Sequence, residues 1–254
     1  MNPKGADMHE GVGVITGAGT GIGRALAIHY AARAQPVLAI GRREAPLQAL
    51  ADEYPLVRAV PADVASDAGR AAIIEALGDQ PIRALVHNAG VLEPVGPLLE
   101  QSAEALRSHM AINLEAPIAL SRALRGRMAN NGRILHVSSG AAHRAMPGWG
   151  AYCISKAALH MAYQVLKAEM GNAAVHVGSL RPGVVDTPMQ SLIRSQSVDD
   201  FPAVENFRAL KANDALTAPA QVATFMAAVL ALPGERFSEQ EWDIREHWDQ
   251  VVGG

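Results

Sequence analysis

Short apolar runs alternate with helical stretches along the first half of the chain, and few folds accept that rhythm. The runs are "VGVITG" (12–17), "PVLAIG" (36–41), "LVRAVPAD" (56–63) and "IRALVHNAG" (82–90). Between them lie "GIGRALAIHYAARA", "EAPLQALADEY" and "DAGRAAIIEALG". A strand that is apolar at successive positions is covered on both faces, as in a parallel sheet with helices on either side. Strand, helix, strand at this pace implies right-handed crossovers. The rhythm continues with a helix around 102–112, extended or followed by another to Arg127, then a strand at 132–139. A helix from residue 150, a strand at 174–180 and a helix near 219–231 complete it. The expected fold is α/β: one domain over 1–254, a doubly wound parallel sheet with helices on both faces. No linker or composition break divides the chain, and its 254 residues, 49% hydrophobic, suffice for one large core. Residues 188–218 show the weakest periodicity and read as a substrate lid after a strand end.

The totals exclude several roles. A net charge of −3 gives no electrostatic reason for nucleic acid or an anionic membrane as partner. The single cysteine, Cys153, excludes an internal disulfide and a cysteine-built metal cluster. The nine histidines show no HxH or HExxH spacing, so no metal is expected. The apolar run from Phe225 to Leu232 is too short to span a bilayer, and "MNPKGADMHEG" lacks a signal-like stretch. A cytoplasmic location is the expectation.

Three local patterns carry chemistry. In "TGAGTGIG" (16–23), glycines follow the first strand and open the first helix. Gly17, Gly21 and Gly23 let backbone amides approach a pyrophosphate at a helix N-terminus, where the dipole favours negative charge. Three residues separate Gly17 from Gly21, unlike the GxGxxG dinucleotide fingerprint. The second strand ends "AIGRR", with Gly41 where a ribose-binding acid is expected and Arg42 and Arg43 after it. Guanidinium groups suit a 2′-phosphate, so NADP(H) is expected over NAD(H). In "YCISK", Tyr152 and Lys156 lie one turn apart on one helical face. At ~5 Å and an effective dielectric of ~20, the ammonium favours the phenolate by about 3 kcal/mol, bringing its pKa down by about two.

Taken in order, "TGAGTGIG", "NAG" (88–90), "INLEAP", "VSS", "YCISK" and "RPGVVDT" (181–187) resemble the classical short-chain dehydrogenases/reductases over nearly the whole chain. Within that family the segments around Tyr152 and Pro182 look most like the sepiapterin reductase and benzil reductase branch. The resemblance implies a Rossmann-type fold and an NADPH-dependent carbonyl reductase acting on a small ketone, such as a vicinal dicarbonyl or a pterin side chain. It implies Tyr152 as proton donor and Ser139 as holder of the substrate oxygen. Lys156 would bind the nicotinamide ribose, and Asn113 would position a water in a proton relay. The cofactor contacts carried over are Gly17, Gly19, Thr20, Gly21 and Ile22 at the turn, with Arg42 and Arg43. Asp63 and Val64 would cup the adenine, and Asn88, Ala89 and Gly90 would pass beneath the cofactor. Pro182, Gly183, Val185 and Thr187 would line the nicotinamide side, together with Tyr152 and Lys156. Trp149 and Met146 are candidates for the substrate pocket, and Asp243 or Glu246 for a pterin anchor. His87 stands where the family usually has an asparagine, Thr20 replaces a frequent basic residue, and the tail lacks a clear final-strand pattern. The family forms homodimers and homotetramers, so a homo-oligomer is expected. Alternatives are an NADP-linked alcohol dehydrogenase, a 3-oxoacyl reductase, or a non-catalytic NADPH-binding regulator that kept the fold.

Overall fold

Each central strand serves two cores at once, which is why its apolar residues run on without alternation. In the computed structural model, which describes residues 11–170 and 174–253, Val14 of β1 (Val12–Thr16) packs on one face with Leu85, Ile134 and Val177. Its neighbour Ile15 packs on the other with Val86, Leu135 and Leu180. Expectations for residues 1–10, 171–173 and 254, including their part of the single-domain span, lie outside the described residues.

The elements follow in chain order. β1 leads to α1 (Gly21–Ala31), β2 (Val37–Gly41), α2 (Glu44–Glu53), β3 (Val57–Pro61), α3 (Asp67–Leu77) and β4 (Ile82–His87). Then come α4 (Ala103–Met110), α5 (Ala116–Leu124), β5 (Met128–Val137), α6 (Gly150–Met170) and β6 (Val175–Arg181). The chain closes with α7 (Pro188–Arg194), α8 (Val204–Ala212), α9 (Pro219–Ala231), α10 (Gly234–Glu239), β7 (Glu241–Asp243) and α11 (Ile244–Val251). All pairings are parallel, in the order β3-β2-β1-β4-β5-β6-β7. The winding reverses between β1 and β4, and in an open α/β sheet a ligand crevice forms there, beyond the carboxyl ends of the strands.

Helices α1 and α9 bury Leu26, Ala27, Phe225, Met226 and Val229 on one face. Helices α3, α5 and α6 bury Ile73, Leu77, Leu120, Leu124 and Tyr163 on the other. A fully buried leucine such as Leu26 contributes about 2 kcal/mol relative to exposure. A third cluster, with Trp149, Phe201, Val204 and Phe207, sits apart from these two and includes Tyr152.

Three local expectations change. Residues 188–218 carry α7 and α8 rather than irregular chain, because Gln190 and Ile193, then Val204 and Phe207, bury one face of each short helix. The tail does supply a final strand, β7, whose Trp242 is fully buried and donates through Nε1 to the Phe237 carbonyl at 2.9 Å. Between α4 and α5 the helix continues through a π-turn at 111–115, one widened turn that contains Asn113.

Candidate active site

At the reversal point β1 and β4 are stitched together by one hydroxyl and one amide. Thr16 Oγ1 donates to the Val86 carbonyl at 3.2 Å and accepts from the Asn88 and Ala89 amides, each at 3.0 Å. Asn88 Nδ2 donates to the Thr16 carbonyl at 2.9 Å and the Gly17 carbonyl at 3.3 Å. Asn88 therefore fixes the glycine turn from behind. Gly17 has φ +68, and a Cβ there would lie 2.8 Å from Asn88 Nδ2. A Cβ on Gly23 would lie 2.4 Å from the Gly17 carbonyl oxygen. Side chains at these positions would force the turn apart.

The helix that follows suits an anion. Ser66 and Ser102 cap α3 and α4, accepting from Gly69 N and Ala105 N. Thr20 makes no such side-chain bond at α1, and the first turn of α1 has no acid. Its N-terminal amides are thus left for a ligand, at the positive end of the helix dipole. This cradle fits the pyrophosphate of a dinucleotide. The fit extends along a cleft of about 760 Å³ lined by Gly17, Gly19, Thr20, Gly21, Ile22, Arg42, Arg43, Asp63 and Val64. The same cleft reaches Asn88, Ala89, Gly90, Ser139, Tyr152, Lys156, Pro182, Gly183, Val185 and Thr187. One cavity thus gathers every catalytic residue and cofactor contact carried over from the family resemblance except Asn113.

Asn113 sits behind the wall. It is buried, its Oδ1 accepts from Val91 N at 2.9 Å, and its Nδ2 donates to the Val91 carbonyl at 2.9 Å. Its side chain clamps the chain after β4 instead of reaching into the cleft. Sequence reasoning missed the partner that completes this clamp, His109. Its Nδ1 bonds the Glu93 carbonyl at 2.7 Å, and its Nε2 faces Ser155 Oγ at 2.8 Å and Asn113 Nδ2 at 2.9 Å. A carbonyl only accepts, so Nδ1 carries the proton and Nε2 accepts. Burial lowers the His109 pKa, in keeping with this neutral ring. A polar residue one helical turn before Asn113 is the only signal the sequence offered.

The reactive group differs from the electrostatic expectation. Tyr152 is buried, and burial raises its pKa, while a bond from the Ser139 hydroxyl opposes the rise in part. Lys156 Nζ lies 5.7 Å from the phenol ring centroid and donates to the Val137 carbonyl at 2.8 Å. Its own pKa falls to about 8 because the ammonium is desolvated. The expected drop for Tyr152 left out the cost of burying the phenolate, and that cost dominates. At neutral pH the phenol therefore holds its proton.

The remaining expectations are placed as follows. His87 Nε2 pairs with Ser121 Oγ at 2.8 Å, and burial drives the His87 pKa well down. Asp63 Oδ1 accepts from Ala65 N at 3.0 Å, shaping the turn after β3. Trp149 and Met146 line the cleft, with Met189, Leu192 and Phe207. Trp149 stacks on Phe201, ring centroids 4.6 Å apart. Neither proposed pterin anchor lines the cleft. Asp243 is fully buried and held by Arg245, while Glu246 pairs with Arg181 at 3.6 Å; Arg245 is the tail residue that borders the cavity. Among the described residues no helix is long and apolar enough to cross a membrane.

The comparisons with known proteins agree with this arrangement. Residues 12–198 match the family model described as short chain dehydrogenase. A benzil reductase ((S)-benzoin forming) of Bacillus subtilis (strain 168) is 36% identical over 167 residues, 64% of this chain and 68% of that protein. Its namesake from Bacillus cereus is 31% identical over 223 residues, 83% of this chain and 90% of that protein. The crystal structure of a short chain dehydrogenase/reductase from Saccharomyces cerevisiae superimposes with a TM-score of 0.88 at 29% identity, covering 96% of this chain and 98% of that one.

Proposed function

The chain belongs to the short-chain dehydrogenase family, a group of nicotinamide-dependent oxidoreductases acting on carbonyl and alcohol groups, and from that premise we propose that it is an NADPH-dependent reductase of small ketones, 1,2-diketones foremost. The observation that carries this reading is the meeting of Tyr152, Ser139 and Lys156 in one cleft with the uncapped start of α1.

Tyr152 keeps its proton at neutral pH, so it is the acid that protonates the carbonyl oxygen in reduction. Ser139, in the same cleft as the phenol, holds the same oxygen and sets its direction. Lys156, anchored on Val137, reaches the ribose hydroxyls and completes the polar end of the cleft. Asn113 acts indirectly, keeping Val91 and the neighbouring Gly90 in place. The turn Gly17–Ile22 holds the pyrophosphate, Arg42 and Arg43 the 2′-phosphate, and Asp63 and Val64 the adenine. Asn88, Ala89, Gly90, Pro182, Gly183, Val185 and Thr187 border the nicotinamide half. Bound there, the reduced cofactor supplies the hydride.

Two features support the finer choices. The end of β2 offers two guanidinium groups and no acid, and neither Arg42 nor Arg43 has an ion-pair partner among the described residues. The substrate end is walled by Trp149, Phe207, Met146, Met189 and Leu192, an apolar surface suited to aryl ketones like those in the relatives' names. Residues 188–218, carrying α7 and α8, form the lid of the single domain. The test is consumption of NADPH with a panel of 1,2-diketones, followed in absorbance, and the same panel with NADH. Turnover of benzil with at least ~10-fold preference for NADPH is expected. No turnover on any diketone, or preference for NADH, would overturn the corresponding half of the proposal.

A further inference from the structure

Outside the cleft, His143, His160 and Glu241 bring three ligand-type atoms within 4.8 Å of one another. We infer that this cluster is a binding site for a first-row divalent cation, Zn²⁺ by preference, with the fourth position left to water.

The donors come from three elements. His143 ends the short turn after Ser139, His160 lies one helical turn beyond Lys156 on α6, and Glu241 opens β7. Each oxygen of the one carboxylate faces a different imidazole. Glu241 Oε2 is 2.6 Å from His143 Nε2, and Oε1 is 3.1 Å from His160 Nδ1. The two rings pack edge to face with centroids 4.7 Å apart, and the ligand atoms of all three residues lie within 4.8 Å of one another. Zinc takes imidazole nitrogen and carboxylate oxygen at about 2.0–2.2 Å, which puts the donors of a tetrahedral ion about 3.3 Å apart. To reach that spacing the His143–Glu241 pair, at 2.6 Å, opens, and the donors spread over 4.8 Å draw together.

A supporting shell is in place. Ser179 Oγ donates to Glu241 Oε1 at 2.8 Å, and the Gln164 amide nitrogen Nε2 is 3.0 Å from His160 Nε2, the ring nitrogen turned away from Glu241. With Nδ1 on a metal, Nε2 carries the proton, and a turn of the Gln164 amide about its last bond brings its oxygen to accept from it. Arg181 is the competing cation, with Nε 3.2 Å from Glu241 Oε2. Its charge is shared, however, with Asp243 at 3.3 Å and Glu246 at 3.6 Å, while Arg245 also pairs with Asp243. Three carboxylates against two guanidinium groups leave the neighbourhood one charge negative. The His143 side chain is 39% exposed, which gives an ion its way in. The ion then ties the end of the Ser139 turn to α6 and β7.

Sequence inspection could not find this set, since Glu241 lies 81 residues from His160 and 98 from His143. The test uses the untagged full chain, stripped with a chelator and titrated with Zn²⁺ by calorimetry and with Co²⁺ by visible spectroscopy. One saturable site per chain and the intense ligand-field bands of four-coordinate Co²⁺ are expected. His143→Ala and Glu241→Gln should each weaken Zn²⁺ binding more than ~100-fold, and Gln164→Leu about 10-fold. Circular dichroism melts in chelator check that the variants fold; His143 lies in an exposed turn, so its truncation leaves the fold intact. Absence of a stoichiometric site, a six-coordinate Co²⁺ spectrum, or a folded His143→Ala chain that binds Zn²⁺ like the parent overturns the inference. None of these readouts depends on cofactor or ketone.

Discussion

Replacing Lys156 with methionine isolates the cost of keeping an ammonium in the wall of the cleft. The side chain is 5% exposed, and burial brings its pKa from 10.5 to about 8. At about 1.4 kcal/mol per tenfold, that gap is worth about 3 kcal/mol. The folded pKa lies below the unfolded one, so between pH 8 and 10.5 the unfolded chain binds more protons and stability rises with pH. Below pH 8 both forms are charged and the folded chain bears the whole penalty. Methionine removes the penalty but also the bond to the Val137 carbonyl at 2.8 Å, leaving a buried acceptor unpaired at a cost of about 1–3 kcal/mol. At pH 7 the two effects nearly cancel. At pH 10 most of the penalty is already gone from the parent, so only the loss remains. The parent should therefore gain about 2–3 kcal/mol on Lys156→Met between pH 7 and pH 10. Urea unfolding of both cofactor-free proteins, followed by circular dichroism at the two pH values, measures this difference, and other titrating groups drop out of it. A difference constant with pH, or one that moves the other way, would refute the account of Lys156 as a desolvated cation.

Two other outcomes follow from the same geometry. Arg42→Ala combined with Arg43→Ala should raise the NADPH Kd roughly 10- to 100-fold while changing NADH binding little, by fluorescence titration, and added salt should shrink the difference. His109→Leu strips one partner each from the Glu93 carbonyl, Asn113 and Ser155. It should cost at least about 2 kcal/mol and lower the Tm by about 4–8 °C in a thermal melt.

What the sequence made legible was whatever is written in consecutive residues. The strands β1, β2 and β4 announce themselves because neighbours such as Val14 and Ile15 feed opposite cores. The glycine turn is visible because Gly17 and Gly23 face backbone or side-chain atoms where a Cβ would lie. Contacts between distant segments were not legible. β7 has a single apolar residue, Trp242, in three, too few for any period to show. The clamp of His109, Asn113 and Ser155 joins two helices across 42 to 46 residues. Tyr152 shows a different limit: spacing gave the direction of the pull from Lys156, but burial, which only the packed chain reveals, sets the sign of the shift.

The central claim is that a buried phenol hands its proton to a ketone at the end of this cleft, and Tyr152→Phe tests it most directly. With NADPH and benzil, the variant should keep cofactor binding and lose ~10²- to 10⁴-fold in kcat/KM. A folded Tyr152→Phe protein that reduces benzil at the parent's rate would contradict it.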